Sequence, residues 1–124
     1  LNFEGETGPY LQYTHARCCS ILKNQKLKTK IDYSSLGTIE EQHLITLLSN
    51  FQESVIQASE QYKPNIIANY LIKLSQSFNE FYHTCRVLQE NEEIKQSRLV
   101  LVKKTKEVLK QGLGLLGIEA PEQM

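Results

Sequence analysis

Between Pro9 and Lys23 the apolar and polar positions repeat with the period of a helix. Leu11, Thr14, Cys18 and Ile21 fall on one stripe, and Tyr10, Tyr13 and Arg17 on a second about 100° around the axis. Pro9 suits the first helical position, because it has no amide hydrogen to leave unpaired. After an aperiodic connection from Asn24 to Gly37, the run Thr38-Ile39-Glu40-Glu41 fits a capping box. Leu44, Leu48, Phe51, Val55, Ala58 and Tyr62 then recur every three or four residues, predicting a second helix that ends near Tyr62 ahead of Pro64. Ile67, Leu71, Leu74, Phe78, Phe81, Cys85 and Leu88 give the most regular stripe, so the third helix is expected to be the central rod. Asn91 followed by Glu92 and Glu93 caps a fourth helix, which turns Ile94, Leu101, Val108 and Leu109 inward until Gly112 and Gly114 loosen it. The tail Leu115-Leu116-Gly117-Ile118 is too apolar to stay in water, and its folding back would fix Met124 in place. No segment of useful length has the period of a strand. The fold class is therefore all-α: an antiparallel-leaning bundle of about four main helices with a packed C-terminal tail.

Composition narrows this further. With 124 residues, 1–124 is expected to be a single domain, 1–8 ending a linker in which Gly5 and Gly8 turn the chain. Hydrophobic residues make up 40% and charged residues 23%, and no apolar run approaches the roughly 20 residues of a membrane span. Cys18, Cys19 and Cys85 lack any zinc or redox spacing and are expected to be reduced, semi-buried cytosolic thiols. His15, His43 and His83 have no ligand spacing either and are expected at the surface or its edge, so no metal site is predicted. The formal net charge is zero, but residues 1–38 carry five basic and three acidic side chains, 39–93 three and eight, and 94–124 six and three. Basic ends and an acidic middle can leave one basic face, or form an ordinary solvated mosaic.

No catalytic constellation is found: there is no glycine-rich phosphate loop, no Ser/His/Asp arrangement and no carboxylate pair in an apolar setting. Binding remains. Two phenol rings and a guanidinium on one stripe suit the stacking of unpaired bases and the pairing of a phosphate; equally, Tyr10 and Tyr13 could cap the edge of a helical core with wet hydroxyls. Tyr82, one position after Phe81, faces about 100° from the core stripe, as a surface tyrosine does. A carboxylate at Met124 on a packed tail would accept a hydrogen bond from an exocyclic amine, with the thioether chain against a base face; the other reading is a frayed last residue. Lys103, Lys104, Lys106 and Lys110 could contact phosphates or form a solvated face with Glu107.

Three stretches in order, FEGETGPYLQYTHAR (Phe3 to Arg17), YLIKLSQSFNEFYHTCRVL (Tyr70 to Leu88) and SRLVLVKKTKEVLKQGLGLLGIEAPEQM (Ser97 to Met124), resemble the C-terminal anticodon-binding, or DALR, domain of arginyl-tRNA synthetases. The resemblance is co-linear over nearly the whole chain and weakest between Asn24 and Gly37. It implies tRNA-binding roles for Tyr10, Tyr13 and Arg17 in the opening motif, Tyr82 in FYHTC, and Met124 at the end. The implied partners are the anticodon loop of arginine tRNA and a catalytic domain of the same chain, with neither membrane nor DNA involved, in the cytoplasm. ATP with magnesium would serve the arginine-tRNA ligase as a whole; this chain lacks the His-x-Gly-His and Lys-Met-Ser-Lys-Ser-like signatures, and no cofactor is expected in it. Arginine codons share a middle G, so the anticodons share a middle C, whose site should accept from the N4 amino group and donate to N3 or the ring carbonyl. Thr14 stands where many members have Ala, Gln123 where many have Arg, and there is no Trp. The alternatives are the anticodon-binding domain of another class I synthetase and a helical module that docks a protein on its tyrosine stripe.

Overall fold

In a computed structural model that describes residues 7–28 and 33–124, the chain forms five α-helices joined by short connections. They are α1 (Thr7–Leu22), α2 (Ile39–Ser49), α3 (Phe51–Gln61), α4 (Asn65–Thr84) and α5 (Glu92–Leu115), with one 3-10 turn at Tyr33–Ser35 and no strand among the described residues. Gly5 and Lys30 lie outside those residues; Gly8 lies inside the first turn of α1 rather than in a bend before it. No described helix is long and apolar enough to cross a membrane.

α4 is the central rod that its period predicts. Leu71, Leu74, Phe78 and Phe81 are each 0% exposed, and α1, α2, α3 and α5 all pack on this helix. The first stripe of α1 is buried as expected, with Leu11, Thr14, Cys18 and Ile21 turned inward along α5 and α4. Tyr70 ties α2 to the rod through its hydroxyl, which donates to the Leu47 carbonyl at 2.6 Å. Cys18 and Cys85 are fully inside, more buried than their sequence setting suggested; Cys19 is half-buried.

Three expectations need correction. The helix expected to run unbroken to Tyr62 is two helices meeting at Asn50 (φ −91°, ψ 0°), where the Ser49 and Ser54 hydroxyls bond the carbonyls of Thr46 and Asn50. Polar side chains that compete for main-chain groups weaken a helix there, while a one-residue break leaves the apolar period in phase. Tyr62 is 91% exposed, because it ends α3 in the left-handed region (φ 54°), with the Lys63 amide closing onto the Ala58 carbonyl at 3.0 Å. Secondly, α4 stops at Thr84. Cys85 is extended, so neighbouring side chains alternate: Val87 is buried at 3% and Leu88 is 49% exposed. Thirdly, Gly112 and Gly114 do not loosen α5, which runs on to Leu115. Gly112 is there for closeness: a Cβ at that position would sit 2.6 Å from Leu71 Cδ2.

The end of α5 is set by Gly117 instead. Its φ of 72° is open to glycine at little cost, and the Gly117 and Ile118 amides donate back to the carbonyls of Gly114 (3.0 Å) and Leu113 (2.9 Å). This closure reverses the chain, so Leu116, Ile118 and Ala120 lie against the core as the apolar tail predicted.

The capping box at Thr38 forms in full and carries a second duty. Glu41, 0% exposed, accepts from the Thr38 amide on one oxygen (2.9 Å) and from Arg98 Nε of α5 on the other (2.9 Å). Burial alone would raise this carboxyl, but the hydrogen bonds from Arg98 and Thr38 and the Arg98 charge outweigh it and hold the group below its ordinary range. A depressed carboxylate stabilises the fold above its unfolded pKa, and that contribution fades as pH falls through the lower folded value. Arg98→Ala, which strands the buried carboxylate, should cost about 3 kcal/mol in urea unfolding at neutral pH, and should shrink the loss of stability between neutral and acidic pH. By contrast Ser75→Ala, which removes a buried hydroxyl with no partner among the described residues, should leave the urea midpoint unchanged or raise it.

Candidate nucleic-acid interface

The second stripe of α1 meets two residues that stand one step off the core stripe of α4. Asn79 follows Phe78 and Tyr82 follows Phe81, so both are carried on the shoulder of the buried rod. Arg17 is held from three sides: Nη1 donates to Asn79 Oδ1 at 2.8 Å, and Cζ lies 5.2 Å from the Tyr13 ring centre and 5.0 Å from that of Tyr82. A longer contact, 3.5 Å, joins Nη2 to the Tyr13 hydroxyl. Asn79 also donates through Nδ2 to the Tyr10 hydroxyl (3.1 Å) and to Thr14 Oγ1 (3.3 Å). A single amide thus joins three side chains of α1. Tyr82 runs nearly parallel to Phe78, at 11° with centroids 6.3 Å apart, which ties the exposed ring to the core.

The tail is fastened to α1 as well. Gln12 Nε2 donates to the Glu119 carbonyl at 2.9 Å, and His15 Nδ1 lies 2.8 Å from the Pro121 carbonyl, so Nδ1 carries the proton in that bond. His15, expected at the surface, is 2% exposed. The reversed tail covers it, a contact between residues far apart in sequence that helix periodicity cannot register. His43 and His83 do remain exposed.

Laid along α1, the tail delivers Glu122, Gln123 and Met124 to a hollow of about 930 Å³ whose walls include Tyr13, Arg17, Tyr82 and Lys106. Tyr13, Arg17, Tyr82 and Met124, four of the residues singled out from the sequence, therefore border one space. Tyr10 does not line it; it is 36% exposed and joins the group through Asn79. Of the four lysines singled out on α5, Lys106 lines the hollow, joined there by Lys23 from the turn after α1, whereas Lys103, Lys104 and Lys110 are exposed elsewhere. Glu122 is the opposing carboxylate in the wall. Cys19 is in the wall too, where burial raises its thiol against the pull of Lys106 and so disfavours the thiolate. Asn79, which periodicity alone does not separate from ordinary polar surface, is brought by the fold to the centre of this group. The available signal was its spacing, three residues before Tyr82 and so on the same face of α4.

The space can receive a flat, polar-edged ring: aromatic faces and a thioether for its face, a guanidinium and an ammonium as donors, carboxylates and carbonyls as acceptors. The family model described as "DALR anticodon binding domain" matches residues 11–124. The chain is 42% identical to an arginine–tRNA ligase of Clostridioides difficile and 46% identical to arginine–tRNA ligase 1 of Bacillus cereus; each match covers 100% of this chain and 22% of the relative. In structure it is similar to Thermus thermophilus arginyl-tRNA synthetase, with a TM-score of 0.89 and 40% identity over 99% of this chain and 22% of that one. Arginyl-tRNA synthetase of Plasmodium falciparum gives 0.79 and 30% identity over 100% of this chain and 22% of that one.

The position of the tail rests on Gly117, which makes the geometry testable. Gly117→Val forces a branched side chain into the left-handed region at a cost of about 1–2 kcal/mol. Amide exchange at residues 117 and 118 should accelerate well beyond any change in the α4 amides; equal acceleration everywhere would mean that the closure is not what holds the tail.

Proposed function

We propose, since the chain belongs to the DALR anticodon-binding domain family, that the hollow between α1, α4 and the tail receives bases of the anticodon loop of an arginine tRNA. The observation that carries this reading is the meeting of Tyr13, Arg17, Tyr82 and Met124 around one space. Tyr10 and Tyr13 offer ring surface for stacking, at 50% exposure for Tyr13 and 36% for Tyr10. Arg17, steadied by Asn79 and Tyr82, donates to a base edge or a phosphate. A middle cytosine needs an acceptor for its N4 amino group and a donor for N3 or its ring carbonyl. Arg17 supplies the second, and a main-chain oxygen of Met124 is the acceptor we assign to the first. Lys106 and Lys23 add charge for the backbone without reading sequence.

The chain spans 22% of the length of the relatives it matches. In the wider protein we propose that this bundle holds tRNA for an arginine-tRNA ligase whose catalytic part, working with ATP and magnesium, lies in the same chain.

The test uses an anticodon stem-loop RNA of arginine tRNA, titrated against the chain by fluorescence anisotropy. Changing only the middle C to U should weaken binding by about 1–3 kcal/mol, and Tyr13→Ala should weaken binding of the cognate RNA by a similar amount. Affinity that is indifferent to the middle base, or insensitive to salt, would count against the proposal and favour an apolar protein partner.

A further inference from the structure

A second hollow, of about 790 Å³, opens beside the first, and Leu88 lines both. Its other walls continue those of the first: Gln25 follows the end of α1 past Lys23, and Arg86 and Gln89 belong to the segment that leaves α4 after Tyr82. The segment is firmly held. The Arg86 carbonyl accepts from Arg98 Nη1 (2.8 Å) and from Gln89 Nε2 (2.7 Å), and Arg98 is the partner of buried Glu41. The Arg86 guanidinium has no partner among the described residues, while Lys95 beside it is engaged by Glu92 at 3.3 Å. Leu88, 49% exposed, presents apolar surface on the ridge between the hollows, where the expected helix would have buried it. Gln25 brings an amide, both donor and acceptor, to the wall, and Glu90 is the carboxylate that shares it with Arg86 and Lys95.

A fixed chain, a free cation, an apolar ridge and an amide suit one more nucleotide of a single strand whose neighbour already occupies the adjoining space. We infer that the hollow at Gln25, Arg86 and Leu88 is a second nucleotide site, which takes the loop nucleotide next to the middle one: phosphate on Arg86, base face on Leu88, base edge on Gln25. It rests on the reading of the first hollow given above. Leu88 belongs to both spaces, so the substitutions that isolate the second are Arg86→Ala and Gln25→Ala. Neither removes a main-chain contact.

The experiment titrates the chain with the same stem-loop RNA and with stem-loops made abasic at either neighbour of the middle base, over a range of salt. Arg86→Ala should reduce the slope of log K against log salt by about 0.7, the share of one phosphate on a single strand, and Arg86→Lys should restore it. Gln25→Ala should weaken the intact RNA about fivefold, yet leave unchanged the RNA that lacks the base it contacts. An unchanged slope in Arg86→Ala, or an equal penalty from Gln25→Ala on every RNA, overturns the second site. Tyr13→Ala, run alongside, separates the two readings. If it still weakens binding, the first hollow stands without the second; if it too is silent, both fall.

Discussion

Covering the apolar stripe of α4 is the constraint from which the rest follows. Leu71, Leu74, Phe78 and Phe81 are each wholly buried, and hiding side chains of this size is worth roughly 1.5–3 kcal/mol apiece. A stripe on one rod cannot be covered from one direction, so α1, α2, α3 and α5 all pack over it. The side chains that surround the hollow are by-products of that arrangement. Asn79 and Tyr82 are the next residues after two core phenylalanines, so they inherit the rigidity of the core while facing outward. Gly112 sharpens the same constraint: α5 comes so close to Leu71 that any side chain at this position would push the leucine aside.

The buried ion pair spreads this order into the connections. Through Glu41, Arg98 and the Arg86 carbonyl, the start of α2, the body of α5 and the segment that leaves α4 are one hydrogen-bonded chain. A segment without regular structure thereby acquires a definite course. The sequence around residues 25–28 is treated similarly, since Gln96 of α5 accepts from the Lys28 amide and donates to the Lys26 carbonyl.

Much of this is legible in the order of residues. The stripes of α1 and α4, the caps at Thr38 and Asn91 and the inward-folding tail follow from period and punctuation, and all form. The break at Asn50 was invisible because a single non-helical residue does not shift the phase of the apolar repeat. Leu88 was misplaced for the opposite reason: it kept the phase of a helix that had already ended at Thr84. His15 and Asn79 owe their settings to partners more than sixty residues away, the Pro121 carbonyl and the Arg17 guanidinium, and spacing within one helix carries no trace of such partners. The residues bordering the hollow could be proposed from the order of the motifs; that Tyr10 stands behind them, joined by an amide, could not.

Arg17 is oriented by an amide and two rings of the chain itself. A side chain ordered beforehand gives up little rotational freedom on association, and the entropy usually lost in freezing a long cation was surrendered during folding. Its geometry is equally hard to adjust. On the proposed reading, a guanidinium that cannot swing toward a misplaced acceptor leaves a wrong base unbonded, so the same rigidity serves discrimination as well as tightness.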